Sequence, residues 1–271
     1  MAAPAPRADA SDAAAAAPHS ATAAFALRTT DWERTLLACD FASRDRPALV
    51  TALLLAFLTK PDGTPVEPVE VWNLPVSTRH LSLVRISTAL DHTDTFALQL
   101  RCPHDDCREL LEVPLAIAAL TALHDEHAAQ KNLAMPGDGT ATSTLRRPTG
   151  DDLRRWRAAG ESIAHHAMLR DLVLAGETPA DPDPLTEALE AFDPLLAFTL
   201  SLTCPSCGRS ADHLVDLEAL ALARLQARQT LLLREIHRLA GAYGWTESEI
   251  LAVPAARRVR YLELVEAASS P

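Results

Sequence analysis

Four of the chain's five cysteines fall in two short stretches, Cys102-Pro103-His104-Asp105-Asp106-Cys107 and Cys204-Pro205-Ser206-Cys207-Gly208. Thiolates are soft ligands that favour zinc, and a structural zinc site closes tetrahedrally on four of them. The second stretch is the stronger metal-knuckle signal. Its proline presets the turn, and the glycine after its second cysteine permits φ > 0 where the chain reverses. The first stretch is looser, with four residues between its cysteines instead of two. The expected metal ligands are Cys102, Cys107, Cys204 and Cys207 on one structural zinc, with His104 able to replace one thiolate. A disulfide across each turn and four unligated thiols stay open from spacing alone. Cys39, in Leu36-Leu37-Ala38-Cys39, reads as a small buried hydrophobe.

Strands must present these turns. Phe96-Ala97-Leu98-Gln99-Leu100-Arg101 precedes the first, and Phe198-Thr199-Leu200-Ser201-Leu202-Thr203 precedes the second. Phe, Leu and Leu stand at the same three offsets from the first cysteine in both copies. That is the period of a half-buried strand. Apolar residues return after each turn, in Leu110-Leu111-Glu112-Val113 and Leu214-Val215-Asp216-Leu217. The chain therefore carries two copies of one unit: strand, cysteine turn, returning strand, helix. The knuckle hairpins are placed at 95–114 and 197–216, and the segment between them reads as a helical insertion whose ends a shared metal would join.

At 271 residues and 48% apolar content the chain can bury a substantial core. Only 4% is aromatic, and leucine and alanine supply most of the apolar content, which favours helices. The expected fold class is α+β: mainly helical, with two cysteine-turned β-hairpins, zinc-ribbon-like, packed together. A net charge of −11 argues against a dedicated nucleic-acid binder. The longest apolar run, 48–58, is shorter than the ~20 residues a bilayer needs. Residues 1–24 are rich in alanine and proline, with Asp9 and Asp12 and no leucine-rich secretion core. They read as part of a disordered tail over 1–28, and the expected location is cytoplasmic. No nucleophile–base pair, glycine-rich phosphate loop or His-Glu-x-x-His stands out. Neither catalysis nor a small-molecule substrate is expected.

The remaining elements follow in order within one domain over 29–240. Asp31 is expected to cap a short helix carrying Trp32, Leu36 and Leu37, and a second helix covers 47–58 before the turn Lys60-Pro61-Asp62-Gly63. Val69-Glu70-Val71-Trp72 alternates as a strand would, and Ser77 or Thr78 caps a helix over 79–90. A helix over 115–133 carries His124 and His127 on a solvated face, and a linker occupies 134–140. Thr149 opens a helix with Leu153, Trp156, Gly160, Ile163 and Ala167 on one stripe; it holds His165-His166 and ends at Gly176. Pro179 and Pro182 mark a loop, and a short helix runs from Asp183-Pro184 to Phe192. The longest helix, 217–240, has Leu217, Ala221, Leu225, Leu232, Ile236, Leu239 and Tyr243 on its apolar stripe. Arg224, Arg228, Arg234 and Arg238 fall outside it, on what reads as a solvated face. Gly241 and Gly244 then break the chain, Thr246-Glu247-Ser248-Glu249 is a capping box, and 241–271 forms a C-terminal helical hairpin.

The run Leu233-Arg234-Glu235-Ile236-His237-Arg238-Leu239-Ala240, with Tyr243-Gly244-Trp245-Thr246-Glu247-Ser248-Glu249-Ile250-Leu251, carries a resemblance. Arg257, Arg258, Arg260 and Tyr261-Leu262-Glu263-Leu264 continue it. Together with the strand-Cys-Pro hairpins and Leu74-Pro75-Val76, these residues resemble small proteins encoded among phage tail and contractile injection system baseplate genes. That group is similar to the baseplate hub assembly chaperones of T-even phages. The resemblance covers roughly residues 70–266, with poor matches over 116–146 and 176–190. The first cysteine turn is longer than the pair usual in the group. The resemblance implies a non-enzymatic assembly factor or minor structural part of a contractile baseplate, with baseplate or hub subunits as partners. It implies the cytoplasm of the producing bacterium as the location, with incorporation into the phage tail or injection particle left open. The competing expectation is a zinc-ribbon adaptor in a nucleic-acid or transcription complex.

Overall fold

The computed structural model describes residues 25–28, 30–136, 142–160, 165–176 and 183–269. The expected tail over 1–24 falls outside these residues, as do Ile163, Pro179 and Pro182. Strand β1 (Ala26–Leu27) opens the described fold, so the end of the span read as tail is ordered strand. Helices α1 (Trp32–Leu37) and α2 (Arg46–Phe57) follow, and β2 (Leu58–Thr59) pairs antiparallel with β1. Asp31 does not cap α1 with its side chain; it takes a left-handed backbone, φ 54°. Asp45 caps α2 instead, its carboxylate accepting from the Ala48 N–H.

The alternation at 69–72 forms a helix, α3 (Pro68–Trp72), where a strand was expected. Two local devices decide this. Glu67 and Glu70 make a reciprocal capping box, and Pro68 occupies the first helical turn. Val71 is buried while Val69 is exposed, because residues two apart do not share a helix face.

Helix α4 (Val76–Leu90) starts earlier than expected, and Ser77 and Thr78 lie inside it with buried side chains. This helix is buried all round, with Leu81, Leu83, Val84, Ile86 and Leu90 in the main core. Its buried hydroxyls bond back along the helix: Ser82 donates to the Thr78 carbonyl at 2.7 Å and Thr88 to the Val84 carbonyl at 3.0 Å. Arg79 is wholly buried and staples three helices, donating to the carbonyls of Val71 and Pro47 and to the Thr51 hydroxyl.

Strands β3 (Thr95–Arg101) and β4 (Leu110–Ala116) form the first hairpin, and α5 (Ile117–Ala128) follows. The helix expected over 115–133 is therefore shorter at both ends. Residues beyond it join β5 (Asn132–Pro136), which pairs with β6 (Thr142–Arg146). Helices α6 (Gly150–Ala159) and α7 (His165–Leu172) come next, then β7 (Val173–Ala175) and α8 (Asp183–Phe192). The antiparallel sheet β5-β6-β7 makes the insertion mixed, not purely helical. The helix expected from Thr149 to Gly176 is broken, because α6 ends at Gly160 with φ 87°. Leu145, Leu169, Leu172, Leu185, Leu189 and Phe192 form a small core of their own.

The second hairpin is β8 (Thr199–Thr203) with β9 (Ser210–Leu214). Helix α9 (Leu217–Tyr243) then runs through Gly241 and ends at Gly244, φ 68°. Leu217, Ala221 and Leu225 join the main core beside α4. Leu232, Ile236 and Leu239 form a third core with Ile250 of α10 (Glu247–Ala252). The Thr246–Glu249 capping box stands as expected, and α11 (Ala255–Ser269) is the last of the described helices. The arginine row on α9 is used internally more than a solvated face would be. Arg224 pairs with Asp91 at 2.7 Å, Arg228 lies over the Trp32 ring, and Arg238 pairs with Glu266. The result is an α+β fold whose described sheets are all small and antiparallel. Among the described residues no helix is long and apolar enough to cross a membrane.

Candidate metal centre

The pair α4 and α9 sets the two hairpins side by side. α4 leads into β3, and β9 leads into the first turn of α9. That turn is gripped from α2 and α4. Arg46 pairs with Asp216 at 2.8 Å and also with Glu218, whose other oxygen lies 3.4 Å from His80 Nε2. His80 Nδ1 faces the Leu195 carbonyl at 3.1 Å, on the segment entering the second hairpin.

Both hairpins close in the same manner. The Cys102 N–H donates to the Glu109 carbonyl at 2.8 Å, and the Cys204 N–H to the Arg209 carbonyl at 2.9 Å. Past each second cysteine the backbone turns left-handed, at Gly208 with φ 70° and at Arg108 with φ 56°. That residue's N–H bonds back four positions, from Gly208 to Cys204 and from Arg108 to His104. His104 thus stands at the offset that Cys204 occupies in the second turn. The two extra residues of the first turn move its cysteine upstream, to Cys102.

The sulfurs nevertheless converge. Cys102 and Cys207 are 3.8 Å apart, Cys107 and Cys204 are 3.7 Å apart, and all four lie within 4.8 Å of one another. These separations exclude disulfides, whose sulfurs sit ~2.0 Å apart, and all five cysteines are free thiols. They do fit a metal. Zinc–thiolate bonds of ~2.3 Å in a tetrahedron put the sulfurs ~3.8 Å apart. The four cysteines singled out by spacing are thus the four that the fold gathers. His104 sits beside the cluster and not in it, with Nδ1 3.3 Å from Cys102 Sγ.

Cys102 and Cys204 are buried against Leu111, with Leu100, Val113 and Leu202 around them, while Cys107 and Cys207 are half-buried. The rim is charged. Arg209 of the second turn pairs with Asp106 of the first, which holds the Asp106 carboxyl below its usual range, and Arg108 pairs with Asp105. Cys207 and Cys107 differ in acidity. The Arg209 N–H and guanidinium pull Cys207 down to about 6. The Glu109 N–H also pulls on Cys107, but desolvation and the neighbouring sulfurs outweigh it and carry this thiol up to about 12.

A second polar cluster escaped the sequence reading. His124, expected on a solvated face, is buried, with Nε2 2.9 Å from the Thr78 hydroxyl and Nδ1 3.1 Å from Asp125. Nearby, Arg147 donates to the carbonyls of Gln130, His127 and Phe192, and its Nε lies 3.2 Å from Asp193. Burial holds the Asp193 carboxyl above its usual range, against the Ser77 hydroxyl and Arg147. These groups line a cavity of about 270 Å³ but partner one another. Their work is to tie the insertion to α4 and α5. His165 is exposed, with Nε2 3.2 Å from the Thr186 hydroxyl.

No family model matches the chain, and neither a curated protein nor a solved structure matches it.

Proposed function

We propose that the four cysteines hold one structural zinc ion, making the hairpins a zinc-ribbon-like pair. The chain then serves as a non-enzymatic assembly factor or minor structural component of a contractile phage tail or phage-tail-like injection system, at its baseplate or hub. The metal half is carried by the convergence of four sulfurs from two hairpins about a hundred residues apart. Four thiolates fill a tetrahedral zinc and leave no position for a reactive water, so the ion acts as a cross-link. Such a site contributes ~10 kcal/mol, as much as the stability of a whole domain. It turns two short hairpins, each marginal alone, into one rigid platform for a partner.

The system half rests on the C-terminal resemblance. Its residues build one helical module: Ile236, Leu239 and Ile250 are buried together, and the buried Arg258 joins Glu33 and Glu235. Baseplate or hub subunits are the partners this reading requires, met in the cytoplasm of the producing bacterium.

Two measurements test the two halves separately. Elemental analysis of the purified chain should find one zinc per molecule; folded, metal-free protein would remove the metal half. Deleting the gene in its producing strain should abolish complete sheathed particles. Normal particles in normal number would remove the system half.

A further inference from the structure

We propose that the four cysteines form a clasp with two modes. When an oxidant displaces the zinc, Cys102 closes on Cys207 and Cys107 on Cys204, and two disulfides between the hairpins take over the join. This rests on the zinc reading above. The sulfur contacts that carry it both run from one hairpin to the other. Cys102 Sγ lies 3.8 Å from Cys207 Sγ, and Cys107 Sγ lies 3.7 Å from Cys204 Sγ. The pairs share no sulfur, so both can close in one molecule. Each pair also joins unlike members. Cys107 and Cys207 are half-buried, whereas Cys204 and Cys102 are buried. Every pair thus has one sulfur that meets solvent and one behind it, from different hairpins.

That is the arrangement of a reactive thiol and its resolving thiol. Hydrogen peroxide is the oxidant. The Cys207 thiolate attacks one of its oxygens; an S–O bond forms, the O–O bond breaks, and hydroxide leaves. The Cys102 thiolate then attacks the Cys207 sulfur; the S–S bond forms, the S–O bond breaks, and a second hydroxide leaves. The two thiolates give up two electrons in all, and the peroxide takes both. Cys107 and Cys204 consume a second peroxide in the same way. With its ligands spent, the ion is released unreduced as Zn²⁺. The sulfurs of each pair need only close to ~2.0 Å.

The consequence lies in which residues are joined. Cys102 and Cys207 are 105 positions apart, and Cys107 and Cys204 are 97 apart. Links across loops of that length restrict the unfolded chain far more than a link within one turn. Thiols stay reduced in a cytosol, and disulfides persist outside it. The metal therefore joins the hairpins in a reducing compartment, and the sulfurs alone join them in an oxidising one.

The experiment treats the zinc-loaded full-length chain with hydrogen peroxide and follows zinc release with a chromogenic chelator. Remaining thiols are then alkylated, and the chain is digested without reduction. Cleavage before Asp105 and Asp106 parts Cys102 from Cys107. About two peroxides per chain should release all the zinc. The Cys102 and Cys107 peptides should each be bound to the peptide holding Cys204 and Cys207. Fragmentation should place Cys102 on Cys207 and Cys107 on Cys204, and Cys39 should carry the alkyl group. The oxidised chain should melt above the reduced, metal-free chain by on the order of 10 °C. A Cys102 peptide bound to the Cys107 peptide overturns the proposal, as does Cys102 bound to Cys204. Retained zinc, sulfinic acids in place of disulfides, or an oxidised chain that melts no higher than the reduced one overturn it too. A parent protein that takes up no zinc removes the metal reading and this proposal with it, a result distinct from zinc that leaves while the wrong sulfurs join.

Discussion

The two cysteine hairpins reach one geometry from different sequences. The second turn is short and carries glycine at its left-handed position; the first has two more residues between its cysteines and carries Arg108 there. Yet both close their ladder at the first cysteine, bond back four residues from the left-handed position, and deliver buried or half-buried sulfurs to one cluster. What the site requires is therefore the reversal after the second cysteine and the strand register before the first. The spacing between cysteines differs by two residues without parting the sulfurs.

The largest test of that equivalence is removal of a sulfur from either side. Cys102→Ser and Cys204→Ser should each abolish stoichiometric zinc and lower the melting temperature severely, since a structural site contributes ~10 kcal/mol. Elemental analysis and thermal melts read both effects. A Cys102→Ser variant that keeps its zinc, with His104 in place of the sulfur, would break the symmetry.

A smaller effect should arise from the insertion, where ion pairs reinforce the small core around Leu145. Burial raises the Asp152 carboxyl, but Arg146 and the Thr149 N–H and hydroxyl outweigh it and hold it at about 2. A carboxyl depressed below its unfolded value stabilises the fold above that value and loses the contribution as pH falls through about 2. Asp152→Asn should cost ~2 kcal/mol at pH 7, and the gap to the parent should close near pH 2, read by denaturant melts across that range. Zinc content at pH 7 should not change. A loss of zinc in this variant would tie the insertion's ion pairs to the metal centre.

The smallest effects should come from exchanging the left-handed residues. Arg108→Gly should stabilise the first hairpin by ~1 kcal/mol, and Gly208→Ala should destabilise the second by a similar amount. A Cβ at Gly208 meets no atom within 4 Å, so the second cost is backbone strain alone. Equal signs for the two changes, in melts of the zinc-loaded protein, would show that the turns differ in more than length.

The hairpins were legible because their information is local. Phe96, Leu98 and Leu100 and their counterparts Phe198, Leu200 and Leu202 mark strands by period, and proline, cysteine and glycine mark the second turn by chemistry. The Thr149 and Thr246 capping boxes were legible for the same reason. What was missed depends on distant neighbours. Nothing near His124 announces that Thr78, forty-six positions away, will take its ring nitrogen. Strand β5 holds alanine, methionine and proline, and pairing with Thr142–Arg146 makes it a strand. In α3, two short-range signals competed, and the capping box prevailed over a four-residue alternation.

Helix α9 is 27 residues long, about 40 Å at the usual rise. One end is seated in the main core at the open end of the second hairpin, and the other among Tyr243, Trp245 and Tyr261, whose ring centroids lie 4.8–5.6 Å apart. Sharp bends in helices need proline, glycine or an inserted group, and the one such residue in α9, Gly241, lies in its last turn. The rod is jointless over most of its span. A rod of this kind ties the position of the aromatic tip to that of the second hairpin.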